Sequence, residues 1–539
     1  MHYGLRILAA AAALALAAAP AQAAVTISSG ATQNMSCTGG VCAPTARSAV
    51  LNTGDLENLL ASGNLTVTTT GSGVQAHDIH VSSALSWASS STLSLEAHRS
   101  IAVNAAVAIT GRSGLVLDTG KKNGRLSFGP NGSFGFANLS SQLSINGNAY
   151  TLVGDIKTLA SDIAASPAGD FALANNYDAS ADGTYQGCPV PTLFSGSFEG
   201  LGNIISNLSI DGVTDINGGP IEGLFVELDT KGTIGNIGLV NANLVVPTRY
   251  VLAGSLVGFN SGTVEGSYVS GTLTVGIKSS GGGLAGGNGG TIANSYATAS
   301  LNGSANADLG GLVADNDAII ENSHAAGDVT GASSEVGGLV GANFGGTITN
   351  SYATGQVTET GLAHAAGGLV GLNYENSGIA GTIENSYATG NVSGRNSSAG
   401  GLAGANGSVI VNSYATGTVA GKGGSEGGLV GGNGIDATIS FSYSTGSVSG
   451  GTGSYVGGLI GIDDSPAGSI TDAYWDTDTS GITNLSQGAG NIANDPGITG
   501  MTTAQFQSGL PAGFDPGIWA EKSNINGGLP YLLANPPPK

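Results

Sequence analysis

Two landmarks recur in step along the second half of the chain, and together they restrict it to a stacked repeat. The first is the Leu of a Gly-Gly-Leu unit: Leu256 (in a Ser-Leu variant), Leu284, Leu312, Leu339, Leu369, Leu402, Leu429 and Leu459. The second is an aromatic position: Tyr268, Tyr296, His324, Tyr352, Tyr387, Tyr414, Tyr443 and Tyr474. Longer units carry their extra residues at one place, as in Tyr374 to Ala380, which is how loop insertions sit on a solenoid. The units hold several Gly among β-branched Val, Ile and Thr, and each Gly costs a helix about 1 kcal/mol. Short apolar patches split by Gly and Asn read instead as brief strands joined by tight turns. A unit this small cannot bury its own face and must stack on its neighbours. The expected fold is an all-β, right-handed parallel β-helix, with a small helical insertion and a C-terminal cap.

Two Asn series support the stack. Asn260, Asn288, Asn316, Asn343, Asn373, Asn406 and Asn433, with Asp463 closing the row, stand four residues after each Leu. In a coil they would pile up at strand spacing, roughly 4.8 Å, and hydrogen-bond as an amide ladder. Asn also tolerates left-handed corner geometry. Asn294, Asn322, Asn350, Asn385 and Asn412 form the second series. Both are read as structural.

The aromatic stripe of Tyr268, Tyr296, Tyr352, Tyr387, Tyr414, Tyr443 and Tyr474 has two readings. Strict alternation from Ile292 puts Tyr296 on the core side, as interior stacking. A turn at Asn294 resets that parity and puts the rings outside, where ring faces could contact a glycan.

Composition narrows the function. The chain has 93 Gly in 539 residues, 15 Lys and Arg, and a net charge of −21. So few scattered cations argue against nucleic-acid binding. The N-terminus has the three parts of a secretory signal, over residues 1–23. Arg6 is followed by the apolar run Ile7 to Ala19, then Pro20 and the small-x-small site Ala21-Gln22-Ala23. No later stretch reads as a membrane span, so no transmembrane segment is expected after cleavage. Export permits a local disulfide between Cys37 and Cys42, leaving Cys188 over.

Residues 24–145 read as an N-terminal β-helical region. Residues 146–249 read as a transition region with early coils, whose stretch Asp155 to Ala165 is the one convincing helix before the repeats. Residues 250–481 are the repeat β-helix and 482–539 a C-terminal cap or tail. There Thr502-Thr503-Ala504-Gln505 matches a capping box, and Trp519 with Pro530 to Leu533 is expected to close the open end of the core.

The residues give little chemistry. His77-Asp78-Ile79-His80 lacks further metal ligands. Gly423-Gly424-Ser425-Glu426-Gly427 matches a nucleophile elbow outside a strand–turn–helix. Gly431 to Asp436 resembles a lone calcium nonapeptide. Asp476 to Gly481 resembles half an EF-hand loop whose twelfth position is Gln487. Asp308, Asp315, Asp317, Glu321 and Asp328, in the unit that bears His324, are the best acidic cluster for glycoside chemistry. Solvated corners of a degenerate repeat are the favoured reading. No catalytic residue, metal site or cofactor is expected.

Gly337-Gly338-Leu339-Val340-Gly341-Ala342-Asn343, with Gly346-Thr347-Ile348-Thr349-Asn350-Ser351-Tyr352-Ala353-Thr354-Gly355, resembles the GLUG motif. That motif is found in filamentous-haemagglutinin-like adhesins and in some IgA-peptidase-related surface proteins. Gly54 to Leu60, Ser144 to Leu152 and Phe198 to Asn203 also resemble haemagglutinin-family passenger sequence. The resemblance implies a secreted or cell-surface, non-enzymatic adhesin in a Gram-negative-type envelope. Its ligand would be a host cell, a matrix protein or a glycan, and an outer-membrane secretion transporter a further partner. A full secretion domain is not recognisable, and Pro536-Pro537-Pro538-Lys539 does not resemble a barrel strand. A polysaccharide-degrading β-helix and a purely structural surface or biofilm component are the alternatives.

Overall fold

Each Gly-Gly-Leu unit supplies one coil of a parallel β-solenoid. The computed structural model describes residues 23–120, 124–216, 219–332, 334–361, 364–395 and 397–538. The predicted signal segment, up to residue 22, lies outside the described residues. The fold is all-β, with about 17 turns and 6% helix.

One coil shows the plan. Ser280–Gly282 forms the first face and Ala285–Asn288 the second. Thr291–Ala293, Tyr296–Ala297 and Ser300–Gly303 form the third. Each strand pairs in parallel with its equivalent in the next coil, as Ser280 with Asp308, Gly287 with Asp315 and Tyr296 with His324. Leu284, Ile292, Ala297 and Leu301 of this coil point into the core and are 0–1% exposed. Burying each large aliphatic side chain contributes about 1.5–3 kcal/mol.

The repeated Gly and Ala are fixed by a close approach across the coil. A Cβ on Gly283 would lie 2.9 Å from the Cβ of Ala297 and 2.1 Å from the carbonyl oxygen of Gly311. Gly338 stands in the same relation to Ala353, and Gly401 to Ala415. The register holds to the C-terminal end, but the residue in this column changes there. Ala415 pairs with Ser444, and Ser444 with Trp475. Trp475 is 1% exposed and lies within the core, so the small-residue column ends in a large plug.

The plug corrects one expectation. Trp519 and Pro530 to Leu533 do not close the core end. They belong to a tail that folds back along the outside of the solenoid, where Trp519 packs on Tyr414 and Tyr443. The capping box is present at Thr502 and Gln505 and starts the short helix Thr503–Phe506.

The N-terminal coils have their own core, in which Leu65, Leu93, Leu115 and Leu143 stack from strand to strand. Helix α1 (Thr53–Ser62) lies here, so the 155–165 segment is not the one helix before the repeats. Its overlooked cue is Asn52, whose side chain accepts from the Gly54 and Asp55 amides as an N-cap. Helix α2 (Ile156–Ala165) starts at the cap Asp155, as its sequence predicts. Its Ile156, Leu159 and Ile163 are buried in the long core. Cys37 and Cys42 face each other across the hairpin Met35–Thr38/Val41–Pro44 and are disulfide-bonded. Cys188 is free and buried.

Candidate functional site

The third face carries the aromatic stripe, and a left-handed residue in every coil decides which way it points. Asn294, Asn322, Asn350, Asn385 and Asn412 have φ of 50, 50, 48, 49 and 47°. That corner resets the alternation. Ser295 behind it turns inward, 1% exposed, and Tyr296 turns outward. The inward serines make their own ladder. The Ser295 amide donates to Ser323 Oγ at 3.2 Å, while Ser295 Oγ donates to the Ala293 carbonyl at 2.8 Å.

The other Asn series does different work. Asn260 Nδ2 donates to Asn288 Oδ1 at 2.7 Å, and the pattern continues through Asn316, Asn343, Asn373, Asn406 and Asn433 to Asp463 Oδ1. All are 0–3% exposed. Every donor points the same way, so the ladder has to end on an acceptor, and the carboxylate of Asp463 serves. The buried Asp495 stands beside it, and burial with the neighbouring Asp463 charge raises its carboxyl to about 6.

The stripe is a continuous outer stack. Ring centroids are 4.9 Å apart from Tyr268 to Tyr296, 4.8 Å to His324 and 4.6 Å to Tyr352. They are 5.0 Å onward to Tyr387, 4.8 Å to Tyr414 and 5.0 Å to Tyr443. Interplanar angles are 1–10° throughout. The ring faces are therefore spent on one another. Below the first ring, a Cβ on Gly238 would meet the Tyr268 ring at 2.4 Å, so that face is covered too. The turn at Asn294 puts the rings outside the core, as the second reading expects, and not in the interior; yet no ring face within the stack is free to lie against a sugar. The stripe presents ring edges and hydroxyls.

The tail covers half of it. Tyr387, Tyr414 and Tyr443 are 0% exposed and Tyr474 is 6% exposed, beneath Phe506, Phe514 and Trp519. Tyr443 Oη donates to the Pro530 carbonyl at 2.5 Å and Tyr474 Oη to the Ala512 carbonyl at 2.8 Å. Trp519 Nε1 donates to Asn412 Oδ1 at 3.3 Å. The tail runs toward the N-terminal coils and reaches Asn535, whose Nδ2 donates to the carbonyls of Ser351 and Asn385. Tyr268, Tyr296, His324 and Tyr352 stay half-buried beyond it. Burial between two rings lowers the His324 imidazole to about 4, so it is neutral in the stack.

The acidic candidates do not form one cluster. Asp308 lies on the first face and Asp315 on the second. Glu335, one coil beyond Asp308, joins them. Burial, then the Asp308 charge, raises the Asp315 carboxyl to about 7. Burial and Asp308 also push Glu335 up. Asp317 lies nearby and contacts Asn376 at 3.4 Å. Glu321 and Asp328 belong to the third face; Asp328 is exposed and accepts from the Gln356 amide. Glu335 was missed because it lies outside the His324 unit, although the coil-to-coil register with Asp308 reveals it.

The remaining motifs are absorbed by local structure. Asp78 is held by Arg99, whose hydrogen bond keeps its carboxyl below the usual range. Asp476 accepts from the amides of Asp478 and Thr479 and from Thr503 Oγ1. Ser425 Oγ bonds Ser398 Oγ at 3.0 Å, and Asn433 is a rung of the ladder. Among the described residues, no group of three or more His, Cys, Asp or Glu is placed to hold a metal ion. No helix among them is long and apolar enough to cross a membrane.

Comparison with known proteins gives partial matches. A segment of 81 residues is 40% identical to Halomucin of Haloquadratum walsbyi (strain DSM 16790 / HBSQ001), covering 15% of this chain and 1% of that protein. The chain thus spans only a small part of that relative. A solved structure titled IgA1 Protease aligns with a TM-score of 0.35 and 20% identity, over 47% of this chain and 20% of that one. The family model described as the GLUG motif matches residues 332–358 and 363–393, the coils around Tyr352 and Tyr387, so the β-solenoid carries GLUG-motif repeats.

Proposed function

We propose that this chain is an exported attachment protein, acting at the cell surface or outside the cell through the side of its solenoid. The observation that carries the reading is the aromatic stack, which grips a polypeptide along its outer edge and leaves its N-terminal half open. The ladders and the core use the other repeated residues internally, so the sides are the surfaces left for a partner. The adhesin-like role, the secretory signal of residues 1–23 and passage through an outer-membrane transporter belong to this reading.

Binding of the immobilised mature chain to host cells, matrix proteins and an array of glycans tests it. Saturable binding to at least one class is expected, and uniform failure across the panel overturns it. A second reading, a polysaccharide-degrading enzyme, is favoured by Asp308, Asp315 and Glu335 meeting in the angle between the first and second faces. It requires polysaccharide cleavage that disappears in Asp315→Asn. Self-assembly of the mature chain with no ligand bound would favour a purely structural role.

A further inference from the structure

In the angle between the first and second faces, away from the stripe, the outward side chains of the second face change size from coil to coil. The row reads Ala342, Leu372, Ala405, Gly432 and Ile462. Its large members, Leu372 and Ile462, stand three coils apart, about 14 Å at strand spacing. Between them Ala405 and Gly432 leave a floor almost without side chains. The position two residues on repeats the pattern, with Tyr374, then Gly407 and Gly434, then Asp464. A hollow of about 310 Å³ opens over these coils.

The walls of the hollow differ in chemistry. A Cβ on Gly407 would lie 2.7 Å from Cδ2 of the Tyr374 ring and 3.0 Å from Cε2, so the ring lies against bare backbone. Tyr374 is 53% exposed, and its side turned away from Gly407 is open. The stripe is the opposite case, since each of its rings covers the next. On the first face, Ser398 and Ser425 stand over the floor, their Oγ atoms 3.2 and 3.9 Å from where a Cβ on Gly432 would be. One hydroxyl proton is used in the bond between them at 3.0 Å, so the pair keeps one donor and further lone pairs for a ligand. Asp464 is exposed at the far end. Among the described residues it is the one charged side chain in the lining, which holds no Lys or Arg.

We propose that this hollow binds a neutral saccharide. The inference rests on the attachment reading and names the chemistry of its ligand. A pyranose has a face of C–H bonds and a rim of hydroxyls. The C–H face suits the electron-rich face of an aromatic ring, which Tyr374 leaves open. The rim suits the serine pair and the Asp464 carboxylate, which only accepts hydrogen bonds. A few fixed polar groups among apolar walls are the usual make-up of a ligand site, and the volume is at the small end of such sites. Charge restricts the sugar further. The carboxylate in the lining, on a chain of net charge −21, repels uronic and sialic acids. An extended peptide is a poorer match, because adding a strand needs an unpaired edge. The strands around the hollow, Ser398–Gly400 and Ala403–Asn406, are each paired on both sides.

Calorimetric titration of the full mature chain with cellotetraose, maltotetraose, mannotetraose and xylotetraose, and with tetragalacturonate as the acidic counterpart, tests the proposal. At least one neutral sugar is expected to bind, and tetragalacturonate is not. Tyr374→Ala should lower the affinity about tenfold. Ala405→Leu should abolish binding by filling the floor. The fold accommodates it, since Leu372 occupies the same place one coil earlier. Tyr250→Ala, at an exposed ring outside the hollow, should bind as the parent does. Failure of all four neutral sugars overturns the proposal, as does equal binding of tetragalacturonate or unchanged affinity in either Tyr374→Ala or Ala405→Leu. Attachment to cells, matrix or glycans that persists undiminished in Tyr374→Ala/Ala405→Leu overturns the hollow alone and leaves the attachment reading standing.

Discussion

The Tyr443 hydroxyl hydrogen-bonds the carbonyl of Pro530 at 2.5 Å, across 87 residues of sequence. This contact, with Trp519 wedged against Tyr414, Tyr443 and Phe514, makes the tail part of the side wall of the solenoid. Trp519→Ala removes a side chain that is 1% exposed. Truncating a buried Trp costs about 3–5 kcal/mol, here charged to the tail's docking, since the coil core does not contain Trp519. Limited proteolysis should then cut within residues 507–535 while the repeat coils stay resistant. A tail as protected as in the parent would contradict the assignment.

The two Asn series predict different costs. Asn343→Ala breaks the ladder at 2.7 Å on one side and 2.8 Å on the other. It leaves buried groups of Asn316 and Asn373 short of partners, a loss of about 2–4 kcal/mol. Asn350→Gly at the left-handed corner should cost less than about 1 kcal/mol, since Gly adopts positive φ freely. Denaturant unfolding of the two variants distinguishes them, and equal losses would mean that the series do not divide the work this way.

This division was only half legible in the sequence. Spacing alone places Asn343 and Asn350 in separate columns, and the ladder follows from stacking. Which column takes the corner does not follow, because Asn suits both. The same ambiguity hid the direction of Tyr296: one left-handed residue at Asn294 inverts the alternation, and nothing in the pattern of 292–297 forces it. The Trp475 plug was readable in principle, as a large residue in a column of Ala, but it needs the coil register. The tail's path was not readable, since its contacts, such as Asn535 to Ser351, join segments that no local pattern links. Glu335 joined Asp308 only when register, not sequence proximity, defined neighbours.

Asp315 gives a pH signature. Its carboxyl titrates near 3.8 when unfolded and at about 7 when folded. The folded state keeps a proton that the unfolded state has released, so this group's contribution is full below 3.8 and is lost as pH rises toward 7. Asp315→Asn should flatten that fall and be more stable than the parent at pH 8. A parent and variant with parallel pH profiles would contradict the shift.

His324 acts with the opposite sign. Its imidazole is lowered from 6.5 to about 4 in the stack. Between those values the unfolded state binds a proton that the folded state refuses, so stability falls as pH falls through that window. His324→Tyr restores the repeat's own residue between Tyr296 and Tyr352. Its advantage over the parent should grow from pH 7 to pH 4, read as the difference in thermal midpoint. A constant difference would show that burial between the rings does not perturb the imidazole.

The central claim is that the aromatic stack lies outside the coil, with its C-terminal half beneath the tail and its N-terminal half open. Hydroxyl-radical footprinting of the full mature chain, read by mass spectrometry, tests it residue by residue. The exposed Tyr250 and Tyr374 serve as references at 62% and 53% exposure. Tyr268, Tyr296 and Tyr352 are predicted to be oxidised at intermediate rates, and Tyr387, Tyr414 and Tyr443 to be protected until Trp519→Ala releases the tail. Equal protection of all six in both proteins would place the stack in the interior and contradict the account.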